Sequence, residues 1–164
     1  MKSRLNTTVL SAVFAALIFI LTFSIRIPVP LGYIHFGDSM IYLAACFLPA
    51  GYAMLSGAIG GGLADLASGF YLYIAFTVII KALITLPFTS KSSHIMTKRN
   101  VFAIFISGII TVTGYCGADF ILTGDLLKAL NGTLSSLIQA AGSAVIFVFV
   151  GMALDKTGLK KRVT

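Results

Sequence analysis

The chain has 164 residues, of which 58% are hydrophobic and 10% charged, with a mean hydropathy of +1.01. Soluble domains carry about 25% charged residues, so this composition excludes a disordered chain and leaves too little polar surface for a water-soluble enzyme. A net charge of +7 in a soluble protein would suggest nucleic acid, but in an integral membrane protein it marks cytoplasmic loops.

A helical span takes about 20 mostly apolar residues, so the chain reads as one integral membrane domain, 1–164, with room for five or six spans. Residues 5–25 carry no charge and follow Lys2 and Arg4. The run is too long for a signal-peptide core and lacks a small-residue cleavage site, so it is expected to be a retained first helix. Residues 26–37 read as a loop, broken by Pro28, Pro30, Gly32 and Gly37. Asp38 or Ser39 then stands where a helix cap belongs. From Ser39 to Ala64 there is no charge, with Pro49-Ala50-Gly51 as a turn signal in the middle.

Charge parity chooses between one helix and two in that stretch. With two, about 38–49 and 51–68, the basic loop 91–99 falls on the same side as the N-terminus; with one, it does not. The positive-inside bias favours two. Further spans are expected at 72–89, 101–122 and 134–154. The reading is thus an all-α membrane protein, a six-helix bundle with both termini cytoplasmic. Lys2, Arg4, Lys91, Lys98, Arg99, Lys156, Lys160, Lys161 and Arg162 then lie inside, with only Arg26 and Lys128 outside. The second helix, about 12 residues, is too short to cross ~30 Å of hydrocarbon at 1.5 Å per residue. It should be shielded by its neighbours.

No P-loop, H-E-x-x-H or G-x-S-x-G pattern occurs, and no Cys/His cluster has metal-ligand spacing. Catalytic residues, metal and cofactor are therefore not expected. Cys46 and Cys116 read as buried thiols. Gly57 and Gly61, and Ala12 and Ala16, are small-xxx-small pairs that let helix backbones approach. The alanine pair serves either packing within the bundle or docking of another membrane protein.

Ionisable groups inside spans are costly and usually face an interior or a cavity. Lys81 and Asp65 qualify, either as a mutual salt bridge or as contacts to a polar solute. Polar stripes follow on consecutive helices: Tyr73, Thr77, Lys81 and Thr85 at i+4 steps; Ser107, Thr111, Tyr115 and Asp119 at the same steps; then Ser135, Ser136, Gln139, Gly142 and Ser143 on one face. Three such stripes predict an outward-facing pocket. Tyr33, His35 and Phe36 in the first outer loop, and Phe70, Tyr71 and Tyr73 in the next, form either an interfacial belt or a lid on a planar ring.

The stretches Gly32-Tyr33-Ile34-His35-Phe36-Gly37-Asp38, Leu48-Pro49-Ala50-Gly51-Tyr52, 57–66 around Gly60-Gly61-Gly62, and Phe76-Thr77-Val78-Ile79-Ile80-Lys81 resemble S components of energy-coupling factor (ECF) transporters. Among these the chain looks most like the hydroxymethylpyrimidine and pyridoxine group. The resemblance implies a membrane-embedded subunit that captures a small water-soluble vitamin from outside. It implies a transmembrane coupling protein (EcfT-type) and two ATP-binding cassette ATPases as separate partner chains in a prokaryotic cytoplasmic membrane, with lipid around them and no nucleic acid. It assigns Ala12 and Ala16 to the coupling interface. Tyr33, His35, Phe36, Asp65, Tyr71, Lys81, Tyr115, Asp119 and Gln139 are the candidate substrate-binding residues. The competing class is a small intramembrane enzyme or chaperone using Asp65, Asp119 or His35; a small channel is a third.

Overall fold

A computed structural model describes the backbone of residues 2–29 and 32–163 and the side chains of residues 5–25 and 35–162. Helices stand in all the stretches expected to be helical: α1 Lys2–Phe23, α2 Gly37–Phe47, α3 Ala50–Ser68, α4 Ile74–Leu83, α5 Lys98–Thr123 and α6 Leu126–Thr157. A short α7, Leu159–Val163, follows. Segments Leu5–Phe23, Lys98–Thr123 and Leu126–Thr157 are long and apolar enough to cross a membrane, and Tyr71–Leu83 is a shorter apolar stretch.

Element ends follow local chemistry. Pro49 stands at the start of α3, and Gly69 closes it in the left-handed conformation at φ 79°. Thr97 caps α5 by accepting from the Asn100 amide. Asp125 caps α6 by accepting from Leu127 and Lys128. That cap starts α6 eight residues before the expected 134, ahead of Lys128, Asn131 and Gly132, whose polarity had masked the helix. By contrast α4 is shorter than expected. A 3-10 turn, Tyr71–Tyr73, precedes it, and after Leu83 the chain continues in i+3 bonds such as Leu86 to Leu83 and Phe88 to Thr85. Pro87, which has no N–H, falls within this tightened stretch.

The loop expected at 26–37 is instead an antiparallel hairpin, β1 Arg26–Val29 and β2 Gly32–His35, with Arg26 opposite His35 and Val29 opposite Gly32. A two-stranded ribbon has open edges on both sides, so a proline within it need not break a ladder. Read as breakers, Pro28 and Pro30 had concealed the face formed by Ile27, Val29 and Ile34, with Ile27 opposite Ile34.

Helix α2 packs against α1, α3 and α6 at the centre of the molecule. Ten of its 11 residues are buried, all but Met40, which is the shielding its length demanded. Around it α1 packs on α3, α3 on α4, α4 on α5, and α5 on α6, while β2 lies against α6. At the end away from the hairpin, Tyr42 stacks on Phe88 at 5.0 Å and meets Phe147 edge-on at 5.8 Å. There Asp155 accepts the amides of Ile95 and Met96 at 2.7 and 2.9 Å. Asn100 binds the Thr89 and Ile95 carbonyls. The loop 88–97 is thereby tied to α5 and α6. Cys46 is buried, as expected, whereas Cys116 is only partly so. Lys160, expected among the basic residues of the inner side, is 1% exposed.

Candidate functional site

At the hairpin end of the bundle lies a cavity of about 340 Å³. Its walls come from the ends of α1 and β2, from α3, and from the three polar stripes on α4, α5 and α6. Thr22 and His35 contribute from the first two. Gly61 and Asp65 come from α3, Phe70 and Tyr73 from the connection after it, and Thr77 and Lys81 from α4. Thr111 and Tyr115 come from α5, and Ser135, Ser136 and Gln139 from α6. The stripes therefore converge because their helices are consecutive neighbours.

Lys81 does not pair with Asp65. Its Nζ lies 2.6 Å from Asp38 Oδ1, with the two side chains 5% and 1% exposed. Asp38 is accordingly not a helix cap: Phe36 holds that position and makes no side-chain cap bond. The pairing spans helices α2 and α4, between which α3 runs, and the α3 glycines permit it. A Cβ at Gly57 would fall 2.6 Å from the Lys81 carbonyl oxygen, and one at Gly61 would fall 2.8 Å from Lys81 Cγ. With no side chain at either position, the lysine stem crosses α3 and reaches Asp38. The ammonium also lies 5.2 Å from the centre of the Tyr115 ring. The tyrosine hydroxyl bonds Thr77 Oγ1 at 3.1 Å. The cavity thus presents a cation already neutralised, an acid (Asp65), and aromatic faces.

Gln139 is committed to the hairpin. Its Oε1 accepts from the His35 amide at 2.9 Å, and its Nε2 donates to the His35 carbonyl at 3.1 Å. The side-chain amide thereby mimics a strand partner for β2. Nε2 also lies 2.9 Å from Ser143 Oγ, while Ser39 Oγ donates to the Ser143 carbonyl. The imidazole Nδ1 of His35 accepts from the Gly37 amide at 3.2 Å. His35 is 7% exposed, a buried joint rather than a solvated loop residue.

Of the nine candidates, His35, Asp65, Lys81, Tyr115 and Gln139 line the cavity. Asp119 does not; it accepts from the Tyr73 hydroxyl at 2.7 Å and so holds a lining residue. Tyr71 is 66% exposed on the outside. Phe36 is partly buried beside the site without lining it. The Tyr33 side chain lies outside the described residues. Among the described residues, no group of three or more His, Cys, Asp or Glu could hold a metal. Lining residues on the polar stripes, such as Thr77, Thr111 and Ser136, were legible by spacing. Thr22 was missed, although a polar residue near the end of an apolar run was its signal.

On α1, Ala12 and Ala16 face outward, while Ala15 is turned in, 9% exposed. A Cβ at Gly60 would fall 2.7 Å from the Ala15 carbonyl oxygen. The close approach of α1 to α3 therefore uses the other face of α1, and the alanine pair is not consumed by packing in the bundle.

The sequence is similar over 139 residues to a Pyrococcus woesei protein described only as an uncharacterised protein in the gap 3′ region. The identity is 30%, covering 82% of this chain and 92% of that one. Residues 2–156 match the model of the family described as ECF-type riboflavin transporter, S component. S components are membrane-embedded substrate-binding subunits, not enzymes, and work with an EcfT-type coupling protein and ATPases. A membrane protein by composition, with apolar helices and a polar cavity at the hairpin end, this chain belongs to the S-component family of ECF-type riboflavin transporters.

Proposed function

We propose that the chain is one integral membrane unit of six spans, with a short buried second span, both termini and the loop 88–97 in the cytoplasm, and the hairpin end outside. It sits in a prokaryotic cytoplasmic membrane and takes up a neutral, planar, water-soluble vitamin in the 340 Å³ cavity. The observation that carries this reading is a cavity where polar stripes and aromatic rings converge and whose lysine is already neutralised by Asp38 at 2.6 Å. Ligand sites of 300–1,000 Å³ bind through apolar walls and a few polar anchors. Tyr115, Tyr73 and Phe70 offer ring faces; Asp65, Thr77, Ser135 and Ser136 offer polar anchors; His35 and Gln139 set the position of the hairpin over them. Asp119 acts through Tyr73.

The family description favours a riboflavin-type tricyclic ring. The residue resemblance over 32–85 favours a single-ring vitamin, hydroxymethylpyrimidine or pyridoxine. Ala12 and Ala16, exposed and small, are the contact for the coupling protein, and two separate ATPases supply the energy. Mass spectrometry of small molecules released on denaturing the purified protein, followed by titration with riboflavin, pyridoxine and hydroxymethylpyrimidine, tests the reading. Saturable binding of riboflavin is expected. Binding of a single-ring vitamin in its place would reassign the ligand within the same function, and binding of none of these would refute the vitamin reading.

A further inference from the structure

A second cavity, of about 670 Å³, lies on the flank of the bundle between α5 and α6, away from the vitamin site. Gly108, Ala140 and Ala144 line it with small side chains, and Phe105 and Phe149, 66% and 67% exposed, are its large ones. Its one hydroxyl, on Thr113, donates to the Ile109 carbonyl within its own helix at 2.7 Å, so the lining is apolar throughout. On α5 it runs from Val101 to Thr113, about 18 Å at 1.5 Å per residue. That is close to one leaflet of a hydrocarbon core ~30 Å thick, on the side of the loop 88–97.

The mouth at that end is basic. The α5 stripe Val101, Phe105, Gly108, Val112 extends back three residues to Lys98. On α6 the lining ends at Val145 and Phe149, and the same helix face continues beyond it through Met152 to Lys156, both exposed. The start of α5 and the end of α6 are neighbours, because Asp155 accepts the amides of Ile95 and Met96 just before α5. Lys98 and Lys156 are both exposed, and neither forms an ion pair with a described residue. Arg99 is turned to the Pro87 and Phe88 carbonyls. Asp155, the nearest acid, is engaged by the two loop amides. An anion at this mouth would also face the positive end of the α5 dipole.

We propose that this groove is a binding site for an anionic phospholipid, with an acyl chain along the small-residue floor and the headgroup phosphate at Lys98 and Lys156. A partner helix fits less well. It would need 8–10 Å between axes over the Gly108 floor and would bring two ammonium groups against its own end without a counter-charge.

The test uses the full chain in nanodiscs of phosphatidylcholine with a minor fraction of phosphatidylglycerol, extracted mildly, with co-purifying lipid measured by mass spectrometry. Phosphatidylglycerol should be enriched at least tenfold over its share of the membrane, which is about 1.4 kcal/mol. Lys98→Gln with Lys156→Gln should abolish the preference. Ala144→Phe, which fills the groove while sparing the lysines, should displace the lipid. Vitamin affinity and melting temperature should hold in the surface lysine variant, so a folding defect does not mimic the result. No enrichment in the wild type, or enrichment that survives the lysine variant, overturns the proposal. So does crosslinking from a cysteine at Phe149 to a coupling-protein helix in the assembled transporter.

Discussion

At the scale of the residue, the ion pair of Lys81 and Asp38 sets the character of the cavity. Both groups are almost fully buried. Breaking such a pair by removing one partner costs about 3–5 kcal/mol, because the remaining charge stays uncompensated, whereas replacing both is often close to neutral. Asp38→Asn and Lys81→Met should each lower the melting temperature sharply, and the double variant should recover most of the loss. Asp65→Asn combined with Lys81→Met should show no such recovery, since those two groups are not partners. The pair also bears on ligand charge. With Lys81 neutralised and Asp65 nearby, a phosphate ester of the proposed vitamin meets no free cation among the described lining residues. Its affinity should fall at least tenfold below that of the free vitamin, about 1.4 kcal/mol, in side-by-side titration. Equal affinities would show that Lys81 is available to an anion. The sequence placed Lys81 opposite Asp65 because their helices adjoin in the chain. Only the Gly57 and Gly61 gap in α3 lets the lysine reach past that helix to α2.

At the scale of the element, the hairpin and its anchor matter most. The side chain of Gln139 makes two reciprocal bonds to the His35 backbone, at a joint where the imidazole is itself buried. Neutral hydrogen bonds contribute about 0.5–1.5 kcal/mol each, and a buried group left without a partner costs about 1–3. Gln139→Leu should therefore free β2 from α6. Amide hydrogen exchange in 32–37 should rise, and vitamin dissociation should speed up more than association slows. Unchanged exchange in that segment would mean that other contacts hold the hairpin. The helices themselves were readable from apolar runs, and the break between α2 and α3 from Pro49-Ala50-Gly51. The hairpin was not, since two prolines outweigh a short alternation when no partner strand is assumed. Nor was the full reach of α6, because a helix that extends beyond the apolar region can carry Lys128 and Asn131 without penalty.

At the scale of the whole molecule, the proposed orientation rests on the nine-to-two split of basic residues, and the proposed coupling contact on the outward pair Ala12 and Ala16. A cysteine at Ser93 should resist a membrane-impermeant thiol reagent applied to intact cells and react after permeabilisation; labelling from outside would reverse the orientation. Ala12→Leu with Ala16→Leu places two branched side chains on an exposed face, so melting temperature and vitamin binding should change little while uptake in cells is lost. Loss of binding together with uptake would assign the pair to packing inside the bundle. The sequence by itself determined the membrane class, the helical stretches, the basic loop and the polar stripes. These depend on hydropathy, charge and spacing, which act within a turn or two of the chain or against a bulk phase. The tertiary structure alone decided which stripe residues share a cavity, that Asp38 partners Lys81, and that Gln139 holds the hairpin. Each of those rests on contacts between segments 43 and 104 residues apart, where the close approach of backbones at a few glycines, not the local pattern, determines what meets.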